Sequence, residues 1–125
     1  MNPGPVAGEG FSRGDRLRKR REFEECYASG SRVSGRHLQI FLLPESGSWR
    51  LGISIPRRVG TAARRNRVRR RLREIFRRNR ALLGSSGFRL VINARPSASG
   101  ATFQELLEDY RQILSRATRP GKAAR

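Results

Sequence analysis

The sequence predicts an α+β fold: two layers, with one mixed sheet and helices packed on it. Two observations carry this. Three short stretches alternate apolar and polar residues with the period of a strand, and three stretches repeat apolar residues with the period of a helix. Their order is helix, strand, strand, helix, strand, helix, which suggests a hairpin followed by a strand–helix–strand crossover.

Arg21 to Ser29 reads as the first helix, with Phe23, Cys26 and Tyr27 on one face and Gly30 as its stop. His37 to Leu43 and Trp49 to Ile55 read as strands joined by the turn-rich Pro44 to Ser48. Thr61 caps a long helix running to about Leu83, with Gly84 ending it. Phe88 to Ala94 reads as the third strand. Thr102 opens the last helix, and Glu105 completes a capping box. Phe103, Leu106, Leu107, Tyr110, Ile113 and Leu114 keep helical spacing there.

The 125 residues fit one domain. Residues 1–15, rich in Gly, Pro and Ser, read as a flexible N-terminal tail, 16–117 as the domain, and 118–125 as a flexible basic C-terminal tail. No apolar run approaches the roughly 20 residues of a membrane-spanning helix. The first ten residues lack the basic-then-apolar order of a secretory signal. Cys26 is the single cysteine, which excludes an internal disulfide and a cysteine-based metal cage. The expectation is a cytoplasmic protein with no membrane partner.

Charge is the dominant feature. Lys and Arg number 28 against 10 Asp and Glu, a formal net charge of +18. Only Lys19 and Lys122 are lysine. Guanidinium groups stay charged and match phosphate oxygens with a planar fork, so a polyanion is the expected partner.

Residues 57–80 hold 12 Arg and one acidic residue, Glu74. Val68, Leu72, Ile75 and Phe76 form one apolar stripe, and Asn66, Arg70, Arg73 and Arg77 lie opposite. Arg67 and Arg69 flank that outer row. Like charges at i, i+3 and i, i+4 repel, and a bound polyanion relieves the repulsion. A merely solvated face usually mixes signs, and this one does not.

Alternation also sorts the sheet. Leu38, Ile40, Leu42, Trp49, Leu51, Ile53, Ile55, Phe88, Leu90 and Ile92 share an apolar face that should carry the long helices. His37, Gln39, Phe41, Arg50, Ser54, Arg89, Val91 and Asn93 share the other. That face either binds single-stranded nucleic acid by stacking and phosphate contact, or is a solvated surface with Phe41 tucked under the first helix. Phe23 and Tyr27 either wall a groove beside Phe41 or are plain core.

Arg65-Asn66-Arg67 with Arg69, Arg70 and Arg73, followed by Glu74-Ile75-Phe76-Arg77, closely resembles the "RNR" signature of the bacterial ribonuclease P protein subunit. Leu17 to Arg20, Glu22-Phe23, Ser34-Gly35-Arg36, Arg50 to Ile55, Arg57 to Gly60 and Ala94-Arg95-Pro96 resemble its other blocks in order, over about residues 16–117. Pro56 departs from the pattern, where Ser is more usual.

The resemblance implies an α/β sandwich with a left-handed crossover at the RNR helix. It also implies a partnership with a catalytic RNA that removes the 5′ leader of precursor tRNA by hydrolysis. The RNA then supplies the active site and holds the Mg²⁺. By carry-over, Arg65, Asn66, Arg67, Arg69, Arg70 and Arg73 face that RNA. Phe23, Tyr27 and Phe41 line the leader cleft, with Arg57 and Arg58 beside it. No catalytic or metal-ligating residue is expected in the chain: His37 reads as a strand residue near RNA and Cys26 as a small buried apolar group. The competing class is a ribosomal-type or chaperone RNA-binding protein with no role in cleavage. A DNA partner finds no helix-turn-helix or zinc-finger pattern to support it.

Overall fold

The computed structural model describes residues 16–17, 19–45, 49–80 and 87–117. Its elements are α1 (Arg20–Ser29), β1 (Ser31–Ser34), β2 (Leu38–Pro44), β3 (Arg50–Ser54), α2 (Ala62–Arg78), β4 (Phe88–Ala94) and α3 (Phe103–Ala117). Short 3-10 turns at Arg57–Val59 and Pro96–Gly100 join β3 to α2 and β4 to α3. The two tails, most of the turn after Pro44, and Leu83 and Gly84 lie outside the described residues.

The strands form one mixed sheet in the order β1-β2-β4-β3. β2 runs antiparallel to both β1 and β4, and β3 runs parallel to β4. This corrects the expected hairpin: β4 lies between the two strands that were to pair. β4 buries residues on both faces and so takes a central place, and the α2 crossover brings it in parallel to β3. β1 was not foreseen. Its sequence, Ser-Arg-Val-Ser, carries a single apolar residue and so almost no strand signal.

The larger core lies where alternation put it. Leu38, Ile40, Leu42, Leu51, Leu90 and Ile92 of the sheet pack with Val68, Leu72, Ile75 and Phe76 of α2 and with Leu106, Tyr110, Ile113 and Leu114 of α3. α3 begins with the expected capping box: the Thr102 N–H donates to Glu105 Oε1 at 2.9 Å and the Glu105 N–H to Thr102 Oγ1 at 3.1 Å. Thr61 caps α2 by accepting from the Arg64 N–H at 3.2 Å. α2 stops at Arg78, earlier than the expected end near Leu83. Asn79 terminates it: its backbone N–H donates to the Ile75 carbonyl at 3.0 Å, and its side-chain amide donates to the same oxygen at 2.8 Å.

A smaller core lies on the other face. α1 sets Cys26 and Phe23 over Phe41 and Val91, with Leu17 and Leu43 beside them. The chain before α1 runs along β3: the Leu17 N–H donates to the Leu51 carbonyl at 2.9 Å. Gly52 is required there, since a Cβ at that position would lie 2.6 Å from the Phe23 ring.

Candidate RNA interface

Register divides the second sheet face into three rows. Arg50, Arg89 and Leu43 pair across the first, Gly52, Val91 and Phe41 across the second, and Ser54, Asn93 and Gln39 across the third. On the β1 side, Arg32 stands opposite Phe41 and Ser34 opposite Gln39.

The first row is closed. Arg50 donates to Glu22 at 2.7 Å and to Glu45 at 2.8 Å. Arg89 donates to Glu25 at 2.7 Å and to Glu45 at 2.9 Å. The Arg50 hydrogen bond, assisted by Arg89, holds the Glu45 carboxyl below the usual carboxylate range. The Glu45 and Glu25 hydrogen bonds hold Arg89 still more firmly protonated. These two cations tie α1 to the sheet through Glu22, Glu25 and Glu45, an arrangement that neither sequence alternative for this face included.

The second row is covered by α1. Cys26 is fully buried, and its thiol is pushed up to about 11 chiefly by that burial. It is a small buried group, as the sequence suggested, with Sγ directed at the Phe41 and Arg89 carbonyls at 3.6 Å. Phe23 is half-buried in this small core rather than open to solvent.

The third row is open, and the aromatics meet at its border with the second. The Tyr27 ring stands edge-on to Phe41, with centroids 4.8 Å apart. The Tyr27 hydroxyl donates to Asn93 Oδ1 at 3.0 Å. Tyr27 is the exposed large apolar side chain among the described residues, 37% accessible, whereas Phe41 is 9% accessible. Arg32, exposed on β1, flanks Phe41. Arg57 and Arg58 are exposed on the turn that follows Ser54 and Ile55. The arrangement brings an exposed aromatic, the paired residues Gln39 and Asn93, and exposed cations onto one side of the sheet.

His37 is not part of this face. It precedes β2, is 8% accessible, and places Nδ1 2.8 Å from Ser97 Oγ near the start of α3. Alternation misplaced it because strand geometry begins only at Leu38.

α2 forms a second basic surface. Asn66, Arg67 and Arg70 are exposed, and Arg65, Arg69 and Arg73 are half-buried. Burial, then the charges of Arg16 and Arg69, hold Arg73 below the ordinary guanidinium range. Such crowding of like charge favours a bound anion. Arg16 joins this surface because residues 16–17 run along β3, where Arg16 bridges Leu51. Not all of the helix is available. Arg71 donates to the Ala101 carbonyl at 2.8 Å, and Arg77 and Arg78 pair with Glu74.

Sequence reasoning missed Arg16 and Arg32. Arg32 was hidden by the faint signal of β1, and Arg16 by a bridge that no local pattern announces. Among the described residues, no three His, Cys, Asp or Glu side chains come together to hold a metal ion. The carboxylates around α1 are paired with arginine and do not fit a Mg²⁺ site, which takes several oxygen ligands. No helix among them is long and apolar enough to cross a membrane.

Fold and surface together define a basic α+β RNA-binding domain. Comparison with known proteins narrows the class. The ribonuclease P family model matches residues 11–118. The ribonuclease P protein component of Clostridioides difficile is 33% identical over 107 residues, covering 85% of this chain and 94% of that protein. The one from Pseudanabaena is 37% identical over 106 residues, covering 82% and 90%. The RNase P protein of Thermotoga maritima superposes with a TM-score of 0.73 at 32% identity, over 81% of this chain and 96% of that one. The RNase P protein of Staphylococcus aureus, 24% identical, shares the fold with a TM-score of 0.76 over 83% and 95%. The chain belongs to the ribonuclease P protein family, as a component of the ribonucleoprotein endoribonuclease that processes tRNA 5′ ends.

Proposed function

We propose that the chain meets RNA through two separate surfaces. The outer face of α2, with Arg65, Asn66, Arg67, Arg69, Arg70 and Arg73, binds the phosphates of the ribonuclease P RNA. The cleft of Tyr27 and Phe41, with Arg57, Arg58 and Arg32 nearby, binds the single-stranded 5′ leader of precursor tRNA. Phe23 supports the cleft from within the small core. The chain positions and the RNA catalyses: Mg²⁺ sits mainly on RNA, and hydrolysis of the leader phosphodiester draws no acid, base or metal ligand from this protein. The setting is cytoplasmic.

The observation that carries this reading is the Tyr27–Phe41 pair. An accessible aromatic, edge-on to a second and hydrogen-bonded to an amide on an open sheet row, offers a base a stacking surface. Such platforms suit single strands and tolerate any base. The test compares precursor and mature tRNA binding by the reconstituted complex with Phe41→Ala. Precursor affinity should fall more than mature tRNA affinity. Equal loss for both would remove the leader from the cleft.

A further inference from the structure

A polar lane crosses the whole sheet on the α1 side. Register places Ser54 of β3 beside Asn93 of β4, Asn93 beside Gln39 of β2, and Gln39 beside Ser34 of β1. Each strand contributes one uncharged polar residue, and none of the four is buried. The Gln39 amide donates to Ser34 Oγ at 3.1 Å. Asn is disfavoured in strands, yet Asn93 stands in a central one, where it accepts from the Tyr27 hydroxyl at 3.0 Å and holds that ring beside the lane.

Cations stand at both ends. Arg57 and Arg58 are exposed on the turn after β3. Arg32 is exposed on β1, directly opposite Phe41 and so on the same face. None of these three side chains makes a hydrogen bond or ion pair among the described residues. Arg50 and Arg89, on the same face, are instead committed to Glu22, Glu25 and Glu45. β1 and β3 are the edge strands, three strand spacings or about 14 Å apart. The Tyr27–Phe41 pair lies between them, against β2 and β4.

A nucleic-acid strand running down the sheet would meet α1 over the second row and three carboxylates at the first, which repel phosphate. Running across the sheet, it meets cations, the aromatic pair and neutral polar groups throughout. Arg57 and Arg58 lie on the turn that leads into α2, the helix proposed above to face the ribonuclease P RNA. The β3 end is therefore nearer the cut. The leader lies 5′ of the cut, so β1 receives its more distal nucleotides.

We propose that the leader crosses the sheet from β3 to β1, and that Arg32 holds a phosphate of its distal part, beyond the Tyr27–Phe41 pair. This path rests on the reading of the Tyr27–Phe41 cleft as the leader site, and adds to it a direction, the contact of Arg32 and a dependence on leader length. The planar guanidinium fork suits a phosphate. A phosphate contact carries no sequence information, so Arg32 selects precursors by the reach of the leader and not by its bases.

The experiment uses the complex reconstituted with a bacterial ribonuclease P RNA. Its substrates are precursor tRNAs with leaders shortened from the 5′ end one nucleotide at a time, down to mature tRNA. Arg32→Ala should match the unaltered protein on mature tRNA and on short leaders. It should bind long-leader precursors about 3- to 5-fold more weakly, the scale of one exposed charge pair. With a long leader its slope of log K against log salt should be shallower by about 0.7, one single-strand phosphate, and Arg32→Lys, which keeps the charge, should restore the slope. Loss at every length, mature tRNA included, would overturn the proposal by placing Arg32 against the tRNA body or the catalytic RNA. No loss at any length would overturn it too. Tyr27→Leu in the same series separates this path from the reading beneath it. If Tyr27→Leu discriminates against precursors and Arg32→Ala does not, the path to β1 fails and the leader cleft stands. If neither discriminates, the cleft reading fails and the path with it.

Discussion

Arg89 on β4 and Glu45 just after β2 are joined at 2.9 Å beneath α1, and Glu45 also holds Arg50. This pair decides which part of the polar sheet face is open. By committing two arginines to carboxylates it fixes α1 on the sheet, and α1 in turn positions Tyr27 over Phe41.

Glu45→Gln should therefore destabilise the fold by about 2 kcal/mol at neutral pH, the scale of losing hydrogen bonds to charged partners. The pH dependence follows from the sign of the shift. Arg50 and Arg89 depress the Glu45 carboxyl in the folded state, so its contribution is present above the unfolded carboxylate value, near 4.5. It is lost as pH falls through the folded value. Chemical denaturation of both proteins from neutral pH to about pH 3 should show the gap between them closing on the acid side. A gap constant with pH would contradict the assignment.

Tyr27→Leu keeps apolar bulk but removes the ring and the bond to Asn93. Precursor tRNA binding by the reconstituted complex should weaken roughly 5- to 50-fold, the scale of one lost base–aromatic stack, with mature tRNA binding little changed. Phe41→Ala should show the same preference with a larger stability cost, about 3 kcal/mol, because Phe41 is nearly buried. Filter binding with both tRNAs, alongside thermal unfolding, separates the two effects.

Arg70→Ala with Arg73→Ala should weaken assembly with the ribonuclease P RNA. It should also reduce the slope of log K against log salt by about 1 to 2, the loss of one or two phosphate contacts. Tyr27→Leu should leave that slope unchanged. An unaltered slope in the double arginine variant would show that this face does not meet RNA.

Gly35→Ala tests the loop that Asp109 organises. A Cβ at Gly35 would clash with Asp109 Oδ1 and lie 2.7 Å from Oδ2. Relief of that clash breaks the bonds that the Asp109 carboxylate accepts from the Arg36, His37 and Leu38 amides, leaving buried donors unsatisfied. A loss of about 2–4 kcal/mol is expected, measured by urea denaturation, with the α1 side of the sheet unaffected in hydrogen exchange.

Much of this architecture is legible in the sequence because burial imposes a period. The α2 stripe of Val68, Leu72, Ile75 and Phe76 and the α3 stripe of Leu106, Tyr110, Ile113 and Leu114 sit in the core as spacing required. What periodicity cannot give is neighbourhood. It assigns Arg50 and Arg89 to the polar face but does not reveal that Glu22, Glu25 and Glu45 meet them there, since those partners come from other elements. It finds two strands before α2 but not that β4 separates them. It overlooks β1, where Val33 alone carries apolar signal, and with β1 it overlooks Arg32. Phe23 and Tyr27, one turn apart on α1, had to be separated by structure: the first lies in the small core and the second is exposed.

The central claim is that this protein positions precursor tRNA for an RNA-catalysed cut. The most direct measurement is reconstitution with a bacterial ribonuclease P RNA that is itself active at high Mg²⁺, assayed at low Mg²⁺ with 5′-labelled precursor tRNA and mapping of the cleavage site. The account predicts stimulated cleavage at the mature 5′ end. Tight binding of that RNA with no stimulation at any Mg²⁺ concentration would contradict it.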